Sequence, residues 1–99
     1  MRRPMRVKLS LMCERNETLV LADAGIDYLA SDPGELSLFL GATGYDVQGF
    51  RDALGSEELA RAVLDYFASN EPVLLAMCAN RGISVARFMG CWHANNRTM

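Results

Sequence analysis

The chain repeats itself at a spacing of 38 residues, without a gap. Ten of 33 aligned positions are identical between the two copies, and several other pairs keep their character. A repeat of this length predicts two structurally equivalent units. Because a self-supporting solenoid needs about three repeats, we expect the two units to pack on each other as one body. The identical positions of the first copy are Ala22, Ala24, Asp27, Tyr28, Ala30, Ser31, Leu36, Gly44, Val47 and Phe50.

The first segment of each copy has apolar residues at the spacing of an α-helix. Ser56, followed by two glutamates, is a good N-cap and predicts a helix that begins near Glu57. Thr18 or Asn16 is the matching cap of a helix that begins near Glu17. Both helices are therefore predicted to be amphipathic, with one face in the core.

A second helix of each copy is predicted from its two ends. Asp32 is a candidate N-cap, Pro33 suits the first helical turn, and Glu35 completes a capping box. We expect Asn70 to cap the corresponding helix in the second copy. Gly44 and the glycine 38 residues later stand where a left-handed residue ends a helix.

The residues after each glycine predict a third helix. Asp46 and Ser84 are candidate N-caps, with an apolar residue directly before each. Phe50 and Phe88 stand four residues after those caps, where they complete a hydrophobic staple. We expect the third helices to span residues 47–54 and about 85–93.

These patterns predict an all-α fold, a compact bundle of about six short helices in two three-helix units. The predicted boundaries are a basic, flexible leader over residues 1–15, a single helical domain over residues 16–94, and a frayed tail over residues 95–99. A chain of 99 residues is long enough to bury a core without metals or disulfides. We therefore expect no cofactor.

Charge is distributed unevenly along the chain. The first eight residues carry four positive charges and no negative ones, while positions 9–99 carry six basic and twelve acidic residues. An acidic body repels phosphate backbones, so the composition disfavours nucleic acid as a partner. We interpret the basic leader as a solvated segment.

Hydropathy and cysteine usage predict the compartment. The longest apolar run, residues 73–79, is far below the 18 or so residues that span a bilayer, so we expect no membrane segment. Lys8 interrupts the apolar stretch that a signal peptide would need. Cys13, Cys78 and Cys91 form an odd set without paired spacing. Reduced thiols and a cytoplasmic location are the simplest expectation.

Motifs that would indicate catalysis or metal binding are weak. His93 and Cys91 are two residues apart on a predicted helix, where their side chains point to different sides. Gly-x-Ser-x-Gly is absent, and the glycines near Gly44 lack both a preceding strand and a following Gly-Lys-Ser/Thr. We predict no catalytic residues, no metal site and no enzyme activity.

The repeated Asp-Tyr pair is the sequence's one positive hint of a recognition surface. Weak binding candidates are Asp23, Asp27, Tyr28, Asp65 and Tyr66. The alternative is that the tyrosines pack with their hydroxyls outward and the aspartates face water. The apolar stripe around Trp92 is interpreted as core, although an exposed stripe would indicate a homodimer or a partner surface. The sequence leaves monomer and homodimer both open.

Two stretches of the chain resemble a small alphaproteobacterial family of unknown function. They are residues 28–47, with a Leu-Ala-x-Asp-Pro element and a Leu-x-x-Thr-Gly turn, and residues 58–71, a helix that ends in an acid-rich loop. The resemblance covers roughly residues 17–90. It implies a short, helical, cytosolic bacterial protein, and it carries over no activity and no catalytic residues.

The leading hypothesis is therefore a small helical protein that binds another protein, as an interaction or accessory module. The alternative is a nucleic-acid-associated regulator that uses residues 47–54 or 85–92 as recognition helices together with the basic leader. The charge of those helices disfavours it, because the first sets Arg51 between Asp46 and Asp52 and the second offers only Arg87.

Overall fold

A computed structural model describes residues 15–96 of the chain. Within this range there is no strand, and the all-α prediction is confirmed. None of the helices in these residues is both long enough and apolar enough to cross a membrane. The six helices are α1 (Arg15–Ala30), α2 (Pro33–Thr43), α3 (Val47–Ala53), α4 (Glu57–Ala68), α5 (Glu71–Arg81) and α6 (Val85–Asn96).

Helix α4 is the centre of the bundle and contacts each of the other five helices. Its strongest packing partner is α1, which approaches it closely at Gly25. A Cβ atom at Gly25 would lie 2.8 Å from Cε2 of Phe67 and 2.9 Å from Cγ1 of Val63. Only glycine fits this crossing without displacement of the core. The buried residues of α4 are Leu59, Ala60, Val63, Leu64, Tyr66 and Phe67.

The predicted glycine stops are confirmed, and so are the N-caps Asp46 and Ser84. Gly44 and Gly82 have φ angles of 85° and 69°, in the left-handed region. Asp46 accepts a hydrogen bond of 2.7 Å from the amide of Gly49, and Ser84 accepts one of 2.9 Å from the amide of Arg87. Local chemistry therefore sets the ends of α2 and α5 and the starts of α3 and α6.

The predicted N-caps of α1 are wrong, because Asn16 and Thr18 both lie inside the helix, which already includes Arg15, the first residue that the structure describes. Thr18 is not a cap but a buried residue. Its hydroxyl lies 3.5 Å from Sγ of Cys91 and accepts a hydrogen bond of 3.1 Å from Nδ2 of Asn95. A buried polar contact with α6 thus replaces the expected helix cap.

Of the groups predicted to cap the starts of α2 and α5, only Asp32 does so. Asp32 accepts a hydrogen bond of 3.2 Å from the amide of Glu35, as predicted. The carboxylate of Glu35 does not close the capping box, because it binds the hydroxyl of Tyr66 instead. Asn70 makes no side-chain cap, and its Nδ2 donates 2.7 Å to the carbonyl of Tyr66.

The C-terminal helix is longer than predicted. Helix α6 continues to Asn96, past the predicted domain end at residue 94. Nδ2 of Asn95 donates to the carbonyl of Cys91 at 3.0 Å as well as to Thr18, which ties this turn to α1. The domain bounds, with a frayed tail over residues 95–99, stay a prediction. The predicted leader, apart from its last residue, and residues 97–99 lie outside the described residues.

The two halves of the chain share some helix bounds but not all. Helices α2 and α5 begin and end 38 residues apart, whereas α3 has 7 residues and α6 has 12. The internal repeat as a structural equivalence stays a prediction.

Cys78 is buried with a free thiol. Cys91 is buried beside Thr18 and Asn95. Cys13 lies outside the described residues.

Candidate functional site

The other helices cover one face of α4 only in part. Its residues recur at the spacing i, i+4, i+7, i+8, i+11 and i+12, which places them on one side of the helix and of its C-terminal cap. They form one wall of an open cleft of about 590 Å³. These wall residues are Glu58, Ala62, Asp65, Tyr66, Ser69 and Asn70.

The opposite wall is the end of α2 and the connection to α3. It consists of Ala42, Thr43, Gly44 and Tyr45. The left-handed conformation of Gly44 turns the chain here, and the half-buried Tyr45 packs against the core from its position before the Asp46 cap. We call the space between the two walls the Tyr45–Tyr66 cleft.

Tyr66 is held rigidly in the wall of the cleft. Its hydroxyl donates a hydrogen bond of 2.6 Å to Oε2 of Glu35. Its ring packs edge-on against Phe39 and Phe67, with centroids 5.2 Å and 5.6 Å away. Burial, and then the hydrogen bond and charge of Glu35, raise the pKa of Tyr66 to about 12. At neutral pH the phenol is therefore a neutral donor that is already engaged.

Asp65 connects the cleft with the C-terminal helix. Its Oδ1 accepts a hydrogen bond of 2.7 Å from Nε1 of Trp92. The same aspartate lines a smaller space of about 50 Å³ on its other side, together with Arg61 and Trp92. Because Trp92 is the single tryptophan of the chain, its fluorescence reports on changes at Asp65.

The cleft is electrostatically negative. Glu58 and Asp65 are exposed carboxylates in its wall, and no arginine, lysine or histidine is among the described residues that line it. Both walls also contain a helix C-terminus, that of α2 at Thr43 and that of α4 at Ser69. Neither helix has a basic residue in its last turn, so the negative ends of both helix dipoles are uncompensated by nearby cations on those turns.

An uncharged surface strip on α2 leads into this cleft. Leu38 is 63% exposed, and Ala42, one turn further along the same face, belongs to both the strip and the cleft. The only charged residue of α2 is Glu35, which is engaged with Tyr66. We call this strip the α2 face, and its exposed residues are Gly34, Ser37, Leu38, Gly41 and Ala42.

The structure separates the residues that the repeat suggested as binding candidates. Asp65 and Tyr66 line the cleft. Asp23 and Asp27 are exposed on α1, and Tyr28 is half-buried with its ring 6.3 Å from that of Phe67. The two Asp-Tyr pairs therefore occupy different environments and do not form one surface.

Sequence reasoning missed Glu58 and Tyr45 as members of a site. In the sequence, the N-terminus of a helix is sufficient to account for Glu58. Its spacing of seven and eight residues from Asp65 and Tyr66 nevertheless indicates that all three share a face. Tyr45 is the apolar residue directly before the Asp46 cap, where the hydrophobic staple accounts for it. Its approach to α4 depends on the tertiary fold, so no local pattern indicates it.

In the described part of the chain, no three or more histidine, cysteine or acidic side chains are grouped so that they could hold a metal ion. The lining of the cleft supplies carboxylates, hydroxyls, an amide and aromatic rings. Such groups bind ligands by charge, hydrogen bonding and ring contact.

Fold and site together define a small, acidic protein whose described residues form a helical bundle with a polar cleft between α2 and α4. Residues 15–95 match the family described as Protein of unknown function (DUF3572), and since this match spans most of the chain, the protein belongs to that family. No curated protein and no solved structure matches the chain. The alphaproteobacterial origin that the sequence resemblance implies stays an expectation.

Proposed function

We propose that this protein is a protein-protein interaction or accessory module, and that a partner docks on the α2 face and the adjoining Tyr45–Tyr66 cleft. The observation that carries the proposal is the uncharged, exposed strip on α2. A surface helix of a soluble acidic protein ordinarily carries charged residues on its outer face. The outer face of α2 instead has no charged residue, and Leu38 on this face is 63% exposed.

The composition of the strip suits contact with another chain. Gly41 and Ala42 flank the cleft end, and a Cβ atom at Gly41 would meet nothing within 4 Å. Small residues allow a partner backbone to approach closely, and Leu38 supplies apolar area to bury. The charges of the cleft then orient the partner at one end of the strip.

The proposal is for binding rather than catalysis. No histidine or cysteine is among the described residues of the cleft, and burial, followed by the hydrogen bond and charge of Glu35, raises the pKa of Tyr66 to about 12. The aromatic and acidic groups present are typical of recognition.

The nucleic-acid alternative has less support. Arg87, the one cation that the candidate recognition helix α6 offered, bonds to Glu17 at 2.6 Å. Residues 15–96 contain eleven acidic and five basic residues, which repel a phosphate backbone. A cytoplasmic location stays a prediction from the sequence.

A matched pair of leucine variants tests the docking surface. Leu38→Asp places a charge in the middle of the α2 face, whereas Leu75→Asp places one on α5, where Leu75 is 47% exposed. Proteins captured from native lysate by the wild-type chain should be lost with Leu38→Asp and retained with Leu75→Asp.

Both variants should unfold at nearly the wild-type urea concentration, because both side chains are largely exposed. A partner that is captured equally by Leu38→Asp and by the wild type would overturn the proposed surface. Loss with Leu75→Asp alone would move the interface to α5.

A further inference from the structure

The groups that line the Tyr45–Tyr66 cleft indicate which kind of ligand group it binds. Its carboxylates, its helix ends and its aromatic rings all favour positive charge, and no described basic side chain lies in its walls. We propose that the cleft binds the guanidinium group of an arginine side chain presented by the partner. This inference rests on the proposed function, since it assigns the partner group that the docking surface receives.

The carboxylates supply the charge. Glu58 and Asp65 are seven residues apart on α4, which is about 10 Å along the helix axis. This separation leaves room for a flat cation between them or against either one. Trp92 bonds to Oδ1 of Asp65, and a carboxylate has about four acceptor sites, so Asp65 keeps acceptor capacity toward the cleft. Glu58 is exposed and matches the paired donors of a guanidinium.

The helix ends add to the same preference. The carbonyl groups of the last turns of α2 and α4 carry partial negative charge, and the cleft lies at both ends. Arginine donates five N–H groups, and these match carbonyl and carboxylate oxygens together. An anionic ligand would meet repulsion from both carboxylates and both helix ends.

The aromatic rings favour arginine over lysine. Tyr45 is half-buried in one wall and Tyr66 is fixed in the other. A planar guanidinium stacks on an aromatic face and is more weakly hydrated than an ammonium group, so it enters a partly enclosed cleft at lower cost. Burial, and then Glu35, raise the pKa of Tyr66 to about 12, and its hydroxyl stays bonded to Glu35 through the neutral pH range, which keeps the ring fixed.

The experiment uses the full-length, ¹⁵N-labelled chain and two capped probes, N-acetyl-arginine amide and the neutral isostere N-acetyl-citrulline amide. Titration to tens of millimolar should shift the amide signals of Gly44, Tyr45 and Ser69 and the indole signal of Trp92 with the arginine probe. Citrulline should bind at least 10-fold more weakly, because it keeps the shape and loses the charge. N-acetyl-lysine amide should fall between them.

Glu58→Gln and Glu57→Gln form the matched pair of variants. Glu58 lines the cleft, whereas its neighbour Glu57 lies outside it and forms an ion pair of 3.9 Å with Arg61. Glu58→Gln should weaken arginine binding at least 3-fold, and Glu57→Gln should change it less than 2-fold. Both positions lie in the first turn of α4, so the two substitutions should change the stability of the fold equally.

Equal binding of arginine and citrulline, signal changes confined to other surfaces, or no signal change at saturating probe would each overturn the inference. Equal weakening by the two glutamate variants would also overturn it, because it would indicate an effect of net charge alone. If arginine fails to bind while partner capture still depends on Leu38, the interaction module stands and only the assigned ligand group is wrong. If arginine binds but capture ignores Leu38, the docking surface fails instead.

Discussion

At the scale of single residues, the repeated Asp-Tyr pair shows how equal sequence positions acquire unequal roles. In the second half, Asp65 bonds to Trp92 and Tyr66 bonds to Glu35. In the first half, Asp27 is exposed on α1. The position of Trp92 in the repeat corresponds to Leu54, which has no N–H donor in its side chain. The partner residues, and not the pair itself, decide whether the aspartate is structural.

Alanine variants of the two aspartates should therefore differ in stability. Asp65→Ala removes the acceptor of the Trp92 indole and should lower the free energy of unfolding by about 1 kcal/mol. Asp27→Ala should leave it nearly unchanged, because the backbone carbonyl of Asp27 that accepts from Ser31 stays in place. Urea unfolding at neutral pH measures both. A large loss with Asp27→Ala would show that this residue anchors the fold.

Tyr66 predicts a specific dependence of stability on alkaline pH. Its pKa rises from 10.0 to about 12 in the folded chain, so the folded state keeps a proton that the unfolded state has released. The stabilisation is fully present below pH 10 and is lost as the pH rises through 12. Tyr66→Phe should lose about 1 kcal/mol at neutral pH, because Glu35 loses its donor.

The measurement is urea unfolding between pH 9 and pH 11.5 for the wild type and Tyr66→Phe. Wild-type stability should fall more steeply above pH 10, so that the difference between the two proteins narrows. Parallel curves over this range would mean that folding does not raise the pKa of Tyr66.

At the scale of helices, local sequence chemistry predicts the boundaries well where a cap or a glycine acts alone. Gly44, Asp46 and Ser84 behave as their sequence context indicates. The prediction fails where a tertiary contact takes the capping group. Glu35 accepts a hydrogen bond from Tyr66, and Thr18 accepts one from Asn95, in place of the predicted caps. A hydrogen bond within a partly buried site is stronger than a capping hydrogen bond that is exposed to water.

Gly41 inside α2 and Gly44 at its C-terminal cap should respond to substitution by alanine in opposite ways. Gly44→Ala forces a Cβ atom into a φ of 85° and should lower the free energy of unfolding by about 1 to 2 kcal/mol. Gly41→Ala lies inside the helix, has open space around it, and should raise stability by up to about 1 kcal/mol. Urea unfolding of the two variants should move in opposite directions. A neutral Gly44→Ala would show that the left-handed turn is not needed.

At the scale of the whole molecule, the sequence predicts a six-helix bundle but not its surfaces. The hydrophobic period identifies which residues enter the core, and helix α4 is buried by the face that its pattern indicates. The period does not tell which helix covers which. The cleft arises because Tyr45 and the end of α2 meet α4 across the fold, and Glu58 joins it only through that meeting. Of the residues that line the cleft, Asp65 and Tyr66 could therefore be predicted from the sequence, and the others required the fold.

In the complex that we propose, a partner lies on the α2 face with an arginine in the adjoining cleft. The most direct measurement is site-specific photo-cross-linking with p-benzoylphenylalanine placed at Ala42, at the junction of strip and cleft, and at Ala79, an exposed alanine of α5. Mass spectrometry of the products identifies the partner segment. We expect products from Ala42 only, joined to a segment of the partner that contains an arginine. Products from Ala79 alone, or products from Ala42 to segments without arginine, would contradict it.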